Sequence, residues 1–177
     1  MISKMVNYSQ AVAERTKRLM QYNLENESKL PARTISVNLK KEDDFVSAAT
    51  RQGSSLTWYS DESKERGGTE KGASPLSYFL SSMGFCQLVH YAEHSLLSGI
   101  EVESLEMKID GKIVMQKPRR FTEVDYEVKI ASGNDDENIR KLAKSAAEDC
   151  FITNTLKRSI PVRGIIIHNG KQIDVHI

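Results

Sequence analysis

An excess of charge of one sign is missing from this chain. Twenty-five Lys and Arg stand against 24 Asp and Glu, a formal net charge of +1. That balance advertises no basic footprint for nucleic acid. The opening MISKMVNYSQ lacks the apolar block of a signal peptide, so a cytoplasmic protein is expected. Cysteine is scarce, with two in 177 residues. In such a compartment they are not expected to form a permanent structural disulfide, and are either ordinary buried thiols or a redox pair. Repeats and low-complexity segments are absent. The uncharged run at 72–92 is about long enough to span a bilayer. It lacks a sustained Leu/Ile/Val block, however, and carries Ser77, Ser81, Ser82, Gly84, Gln87 and His90. A membrane span is therefore not expected.

What is present centres on that same run. Ser74 can cap a helix and Pro75 suits its first position, where a missing N–H costs nothing. Leu76, Phe79, Leu80, Met83 and Cys86 form one apolar stripe. Phe85, Leu88, Val89, Ala92 and Leu96 form a second. Two apolar faces predict a core helix, not a surface one, running to about Gly99.

Around it the chain reads as strands and two further helices. Residues 3–24 suggest an amphipathic helix that docks on something, followed by a polar linker broken at Pro31. The expected division is thus an N-terminal extension at 1–31 and a main domain at 32–177. Residues 34–39 alternate with period two, and 45–50 and 55–59 read as further strands. The segment 61–72 is a polar, glycine-containing loop. Residues 102–115 are one long strand, or two around Asp110-Gly111; a turn at 117–120 leads to a strand at 121–130. Asn134-Asp135 can cap a helix at 136–150, with Ile139, Leu142, Ala143, Ala146 and Ala147 on one face. A short helical turn at 151–158 follows. Asn169-Gly170 predicts a hairpin between strands at 162–168 and 172–176. Strands mostly adjoin strands, so the class is α+β with largely antiparallel sheets.

Three features bear on chemistry. Cys86 lies in the middle of the core helix and Cys150 at the end of the next long one. A thiol attacks only as thiolate, which cations and helix N-termini favour. Buried cysteine is also a common inert core residue. If the sulfurs meet, one can become a sulfenic acid and the other condense with it. His90, Glu93 and His94 match H-x-x-E-H, an inverted zinc-protease pattern that needs a third ligand from His168, His176 or a carboxylate. The plainer reading has both histidines where the helix emerges toward solvent, with His90 one turn beyond Cys86. Arg51 sits on a short turn and matters only if that turn folds over Cys86.

Four ordered segments now stand together. They are GGTEKGASPL at 67–76, an apolar helix through MGFC at 83–86, PRRFTEV at 118–124 and CFITNTL at 150–156. Their combination resembles the OsmC/Ohr family over about residues 33–177. The resemblance implies an intertwined homodimer, with antiparallel sheets wrapped around two long central helices and active sites at the subunit interface. It implies a thiol-dependent peroxidase that reduces organic hydroperoxides and needs no metal or organic cofactor. Cys86 matches the attacking cysteine, Cys150 the resolving one, and Arg51 is the candidate for the family's thiolate-holding arginine. A small hydroperoxide and a dithiol reductant are the implied partners. Two positions depart from the pattern. Leu76 replaces the glutamate after the helix-start proline, and Phe151 replaces the proline after the second cysteine. These place the chain in the broader OsmC-like group and imply a slower or differently selective enzyme. The alternative is a non-catalytic protein holding a small hydrophobic ligand in the dimer cavity.

Overall fold

The computed structural model describes residues 8–158, together with the backbone of 166–168 and 171–173. Helix α1 (Gln10–Glu25) is started by Ser9, whose Oγ accepts from the Val12 amide at 3.4 Å. It begins later than the apolar spacing suggested, because a capping hydroxyl defines a start that periodicity leaves open. A three-stranded antiparallel sheet follows, in the order β1 (Val37–Lys41), β2 (Ser47–Arg51), β3 (Thr57–Ser60). The charged residues Lys40 and Lys41 belong to β1, and Phe45 falls in the turn, not in a strand. Arg51 ends β2 itself, and Gln52-Gly53 makes the turn, with Gly53 at φ +79°.

Asp61 organises the loop that leads to the central helix. Its Oδ1 accepts from the Glu62 amide, and its Oδ2 from the amides of Thr69 and Lys71 and from the Thr69 hydroxyl. These donors hold the buried carboxyl well below the usual carboxylate range, the Thr69 hydroxyl most of all and against the opposing pull of desolvation. Helix α2 (Pro75–Ser98) then runs as the sequence predicts. Ser74 Oγ accepts from the Ser77 amide at 3.2 Å, and Gly99 closes the helix in the left-handed conformation.

Strands β4 (Ser104–Val114) and β5 (Arg120–Ala131) form one long antiparallel hairpin. Asp110-Gly111 is not a turn. Gly111 sits mid-strand where a Cβ would come within 2.5 Å of the Phe121 ring and 2.9 Å of Leu80, so glycine serves close approach. A register shift at Lys112/Ile113 breaks the alternation and turns Ile113 outward. Helix α3 (Asp136–Asp149) is capped by Asp135, whose Oδ1 accepts from the Asn138 amide at 2.8 Å. Helix α4 (Phe151–Leu156) follows at once. Strands β6 (Ile166–His168) and β7 (Lys171–Ile173) pair antiparallel; Asn169-Gly170 and the outer parts of the predicted strands lie outside the described residues.

The core gathers Tyr91, Ile100, Val102, Leu142 and Ala146, with Leu105, Met107, Val128 and Ile130 packed against it. The sheet β4–β5 and helix α3 thus sandwich one side of α2. That side shares only Met83 with the predicted stripes. The buried line is Met83, Gly84, Gln87, Tyr91 and Ser95, while Phe85 and Val89 are 65% and 55% exposed. Of the first stripe, Leu76 is also exposed, at 52%. No helix among the described residues is long and apolar enough to cross a membrane.

Candidate active site

The two cysteines come together, although 64 residues separate them. Cys86 lies on α2, which packs against α3 and α4. Cys150 is not the last residue of α3 but the joint between α3 and α4, in extended backbone at φ −71°, ψ 106°. Both are free thiols. Cys86 lies close enough to Cys150 and to the amides of Phe151 and Ile152 for each of them to shift its thiol. Cys150 Sγ accepts from the Thr153 amide at 3.4 Å and from the Thr153 hydroxyl at 3.1 Å. The Thr153 amide of the first turn of α4 thus goes to Cys150, while the Phe151 and Ile152 amides act on Cys86.

Electrostatically the pair is finely set. Burial pushes the Cys86 thiol up, and the neighbouring Cys150 sulfur adds to this; the Ile152 and Phe151 amides pull it down. Cys150 is wholly buried and Cys86 only partly so, so an incoming molecule meets Cys86 first. Arg51 is exposed on the separate three-stranded sheet. It is not among the groups that shift the Cys86 thiol within one chain.

The histidine motif is otherwise engaged. His90 Nδ1 lies 2.9 Å from Glu93 Oε2, and His94 Nε2 lies 2.8 Å from Asp149 Oδ2. Each ring has its own carboxylate, and no group of three metal-ligating side chains occurs among the described residues. His94 with Asp149 ties the end of α2 to the end of α3, a structural use of the motif. The His90 ring meets the Phe151 ring at 6.1 Å between centroids.

A cavity of about 460 Å³ reaches Thr153; Phe79, Met83, Phe121, Val124 and Leu156 line it, with Glu123 and Lys157 also on its wall, and neither cysteine does. Phe79 stacks on Phe121 at 4.8 Å. Thr153 connects this apolar space to Cys150.

Two residues at this site escaped the sequence reading. Gln87 is wholly buried, and its Nε2 donates to Thr153 Oγ1 at 3.0 Å. The available signal was a lone amide side chain in the uncharged run at 72–92, next to a cysteine. Thr153 stands three residues after Cys150, the spacing at which a cap meets its helix amide.

The OsmC-like protein family model matches residues 68–163, which contain both cysteines, Gln87 and Thr153. The chain belongs to the OsmC-like family. Solved structures agree on the fold. An OsmC-like protein from Mycoplasma pneumoniae superposes with a TM-score of 0.64 at 18% identity, covering 72% of this chain and 89% of that one. An organic hydroperoxide resistance protein from Elizabethkingia anophelis gives 0.56 at 17%, covering 72% and 90%. An organic hydroperoxide resistance protein OsmC from Legionella pneumophila gives 0.54 at 15%, covering 72% and 92%. Curated protein sequences give no match. As in the OsmC-like fold generally, the sheets are antiparallel and the class is α+β.

Proposed function

We propose that this OsmC-like protein is a thiol-dependent peroxidase acting on organic hydroperoxides as a homodimer. The observation that carries the reading is the meeting of Cys86 and Cys150 as free thiols, one reachable and one buried. Cys86 thiolate attacks the distal oxygen of ROOH; the O–O bond breaks, ROH leaves after taking a proton, and Cys86 becomes a sulfenic acid. Cys150 attacks that sulfur, water leaves, and a disulfide forms. A dithiol returns two electrons and restores both thiols. The apolar cavity favours an organic tail over hydrogen peroxide itself.

The homodimer accounts for what one chain leaves open. Phe85, Val89 and Phe151 form bare apolar surface around Cys86, with Phe151 75% exposed. A second copy would cover it, and its three-stranded sheet would bring Arg51 to the sulfur. A guanidinium there offsets the burial that holds Cys86 protonated.

The test is a thiol count after one equivalent of cumene hydroperoxide, with intact mass on wild type, Cys86→Ser and Cys150→Ser. Wild type should lose both thiols. Cys150→Ser should stop at sulfenic acid or beyond on Cys86, and Cys86→Ser should not react. Two thiols persisting in wild type would overturn the peroxidase and favour a binding protein that uses the same cavity.

A further inference from the structure

The hydrogen bonds on Cys150 have a direction. Thr153 Oγ1 accepts from Gln87 Nε2 at 3.0 Å and donates to Cys150 Sγ at 3.1 Å. A hydroxyl has one proton. Because Gln87 donates to this oxygen, its proton is left available for sulfur. The opposite amide orientation would take it away, since Gln87 Oε1 would then accept it. In the observed orientation Oε1 is buried without a partner among the described residues.

The two residues also span the right elements. Gln87 follows Cys86 on α2, and Thr153 lies in the turn that Cys150 opens. The relay therefore crosses the same gap that a Cys86–Cys150 disulfide would cross. It touches the sulfur that an outside reagent cannot reach.

We propose that Thr153, oriented by Gln87, assists the reductive half of the cycle by holding Cys150 as the leaving thiolate. The inference rests on the paired-thiol reading above and extends it to regeneration. The dithiol's thiolate attacks Cys86 Sγ, the exposed side of the disulfide. The sulfur–sulfur bond breaks, and its electron pair goes to Cys150, which leaves as thiolate accepting from the Thr153 hydroxyl and amide. The dithiol's second thiolate then attacks the mixed disulfide, Cys86 leaves as thiolate, and the reductant departs as its own disulfide. A better-stabilised leaving sulfur leaves faster. Thr153 acts on a reacting atom; Gln87 is a positioning residue.

The experiment does not depend on hydroperoxide. The disulfide is closed with diamide in wild type, Thr153→Val, Thr153→Ser and Gln87→Met, and confirmed by thiol count. Its reduction by dithiothreitol is followed by rapid quench and alkylation. Thr153→Val, close in shape, should slow reduction about tenfold, and Gln87→Met about threefold. Thr153→Ser, which keeps the hydroxyl, should return to within about twofold of wild type. Wild-type speed in Thr153→Val would overturn the proposal. So would a Thr153→Ser variant as slow as Thr153→Val, which would make the effect one of packing. Failure of diamide to close the disulfide would overturn it together with the paired-thiol reading. Normal hydroxyl dependence without hydroperoxide turnover would uphold the relay and defeat only the peroxidase.

Discussion

The two large sheets carry the same alternating pattern and meet opposite fates. In β4–β5, Leu105, Met107, Val128 and Ile130 pack against Tyr91, Val102, Leu142 and Ala146. In β1–β3, Leu39 is 74% exposed, and Ile35 and Val37 before it are bare as well. Helix α2 repeats the contrast on its own two sides. Alternation specifies that a face needs a cover; it does not say whose. The same chain supplies the cover for β4–β5 through α2 and α3. Among the described residues Ala49 of β2 is buried, but Leu39 of β1 and Phe85 and Val89 of α2 remain exposed. Exposed apolar surface, where it is contiguous, is the kind that a partner covers.

The strongest way to break this contrast is a charge on the bare side of α2. Phe85→Asp should move the protein to monomer elution and make its melting temperature independent of concentration, while wild type melts higher at higher concentration. Equal behaviour of the two would mean that this face has no partner copy. On the covered side, Leu142→Ala should cost about 2–5 kcal/mol in denaturant unfolding, because α3 and the sheet cannot close fully over the space. A cost under about 1 kcal/mol would show the two sides to be less different than burial suggests.

Arg51→Met sharpens the link between the two sheets. If Arg51 reaches Cys86 across the dimer, its loss raises the Cys86 thiol further. Alkylation by iodoacetamide should then shift to higher pH, with about a tenfold lower rate at pH 7. An unchanged profile would remove Arg51 from the site. The smallest effect is expected at Asp61, beside the bare sheet. Its carboxyl is lowered by the Thr69 hydroxyl and three amides, so it stabilises the fold above the ordinary carboxylate range of about 4, and this is lost as pH falls toward the folded value. The melting gap between wild type and Asp61→Asn should be constant from pH 7 to about 5 and narrow below about 4. A gap that widened in acid would contradict the assignment.

How far the residues alone could be read depends on the kind of signal. Ser74, Pro75 and Gly99 bound α2 correctly because capping is local chemistry, decided within four residues. The face of α3 was legible for the same reason, since Ile139, Leu142 and Ala146 follow one period. Phe45 and Arg51 were placed one element off, because strand ends depend on a partner strand. The Asp110-Gly111 pair left one long strand and two strands equally open; the approach of the Phe121 ring explains a glycine within one strand. The H-x-x-E-H spacing was real, but Asp149, 55 residues away from His94, decided its use.

By itself the sequence determined the elements, the α+β class and, through four short motifs, the family and its two cysteines. These rest on periodicity, capping and residue identity, which are properties of neighbours along the chain. Only the tertiary structure decided that Cys86 meets Cys150, that Gln87 and Thr153 aim a proton at the buried sulfur, and that one side of α2 is left uncovered. Each of these is a relation between groups far apart in the chain, fixed by how α2, α3 and α4 pack, and no local pattern encodes it.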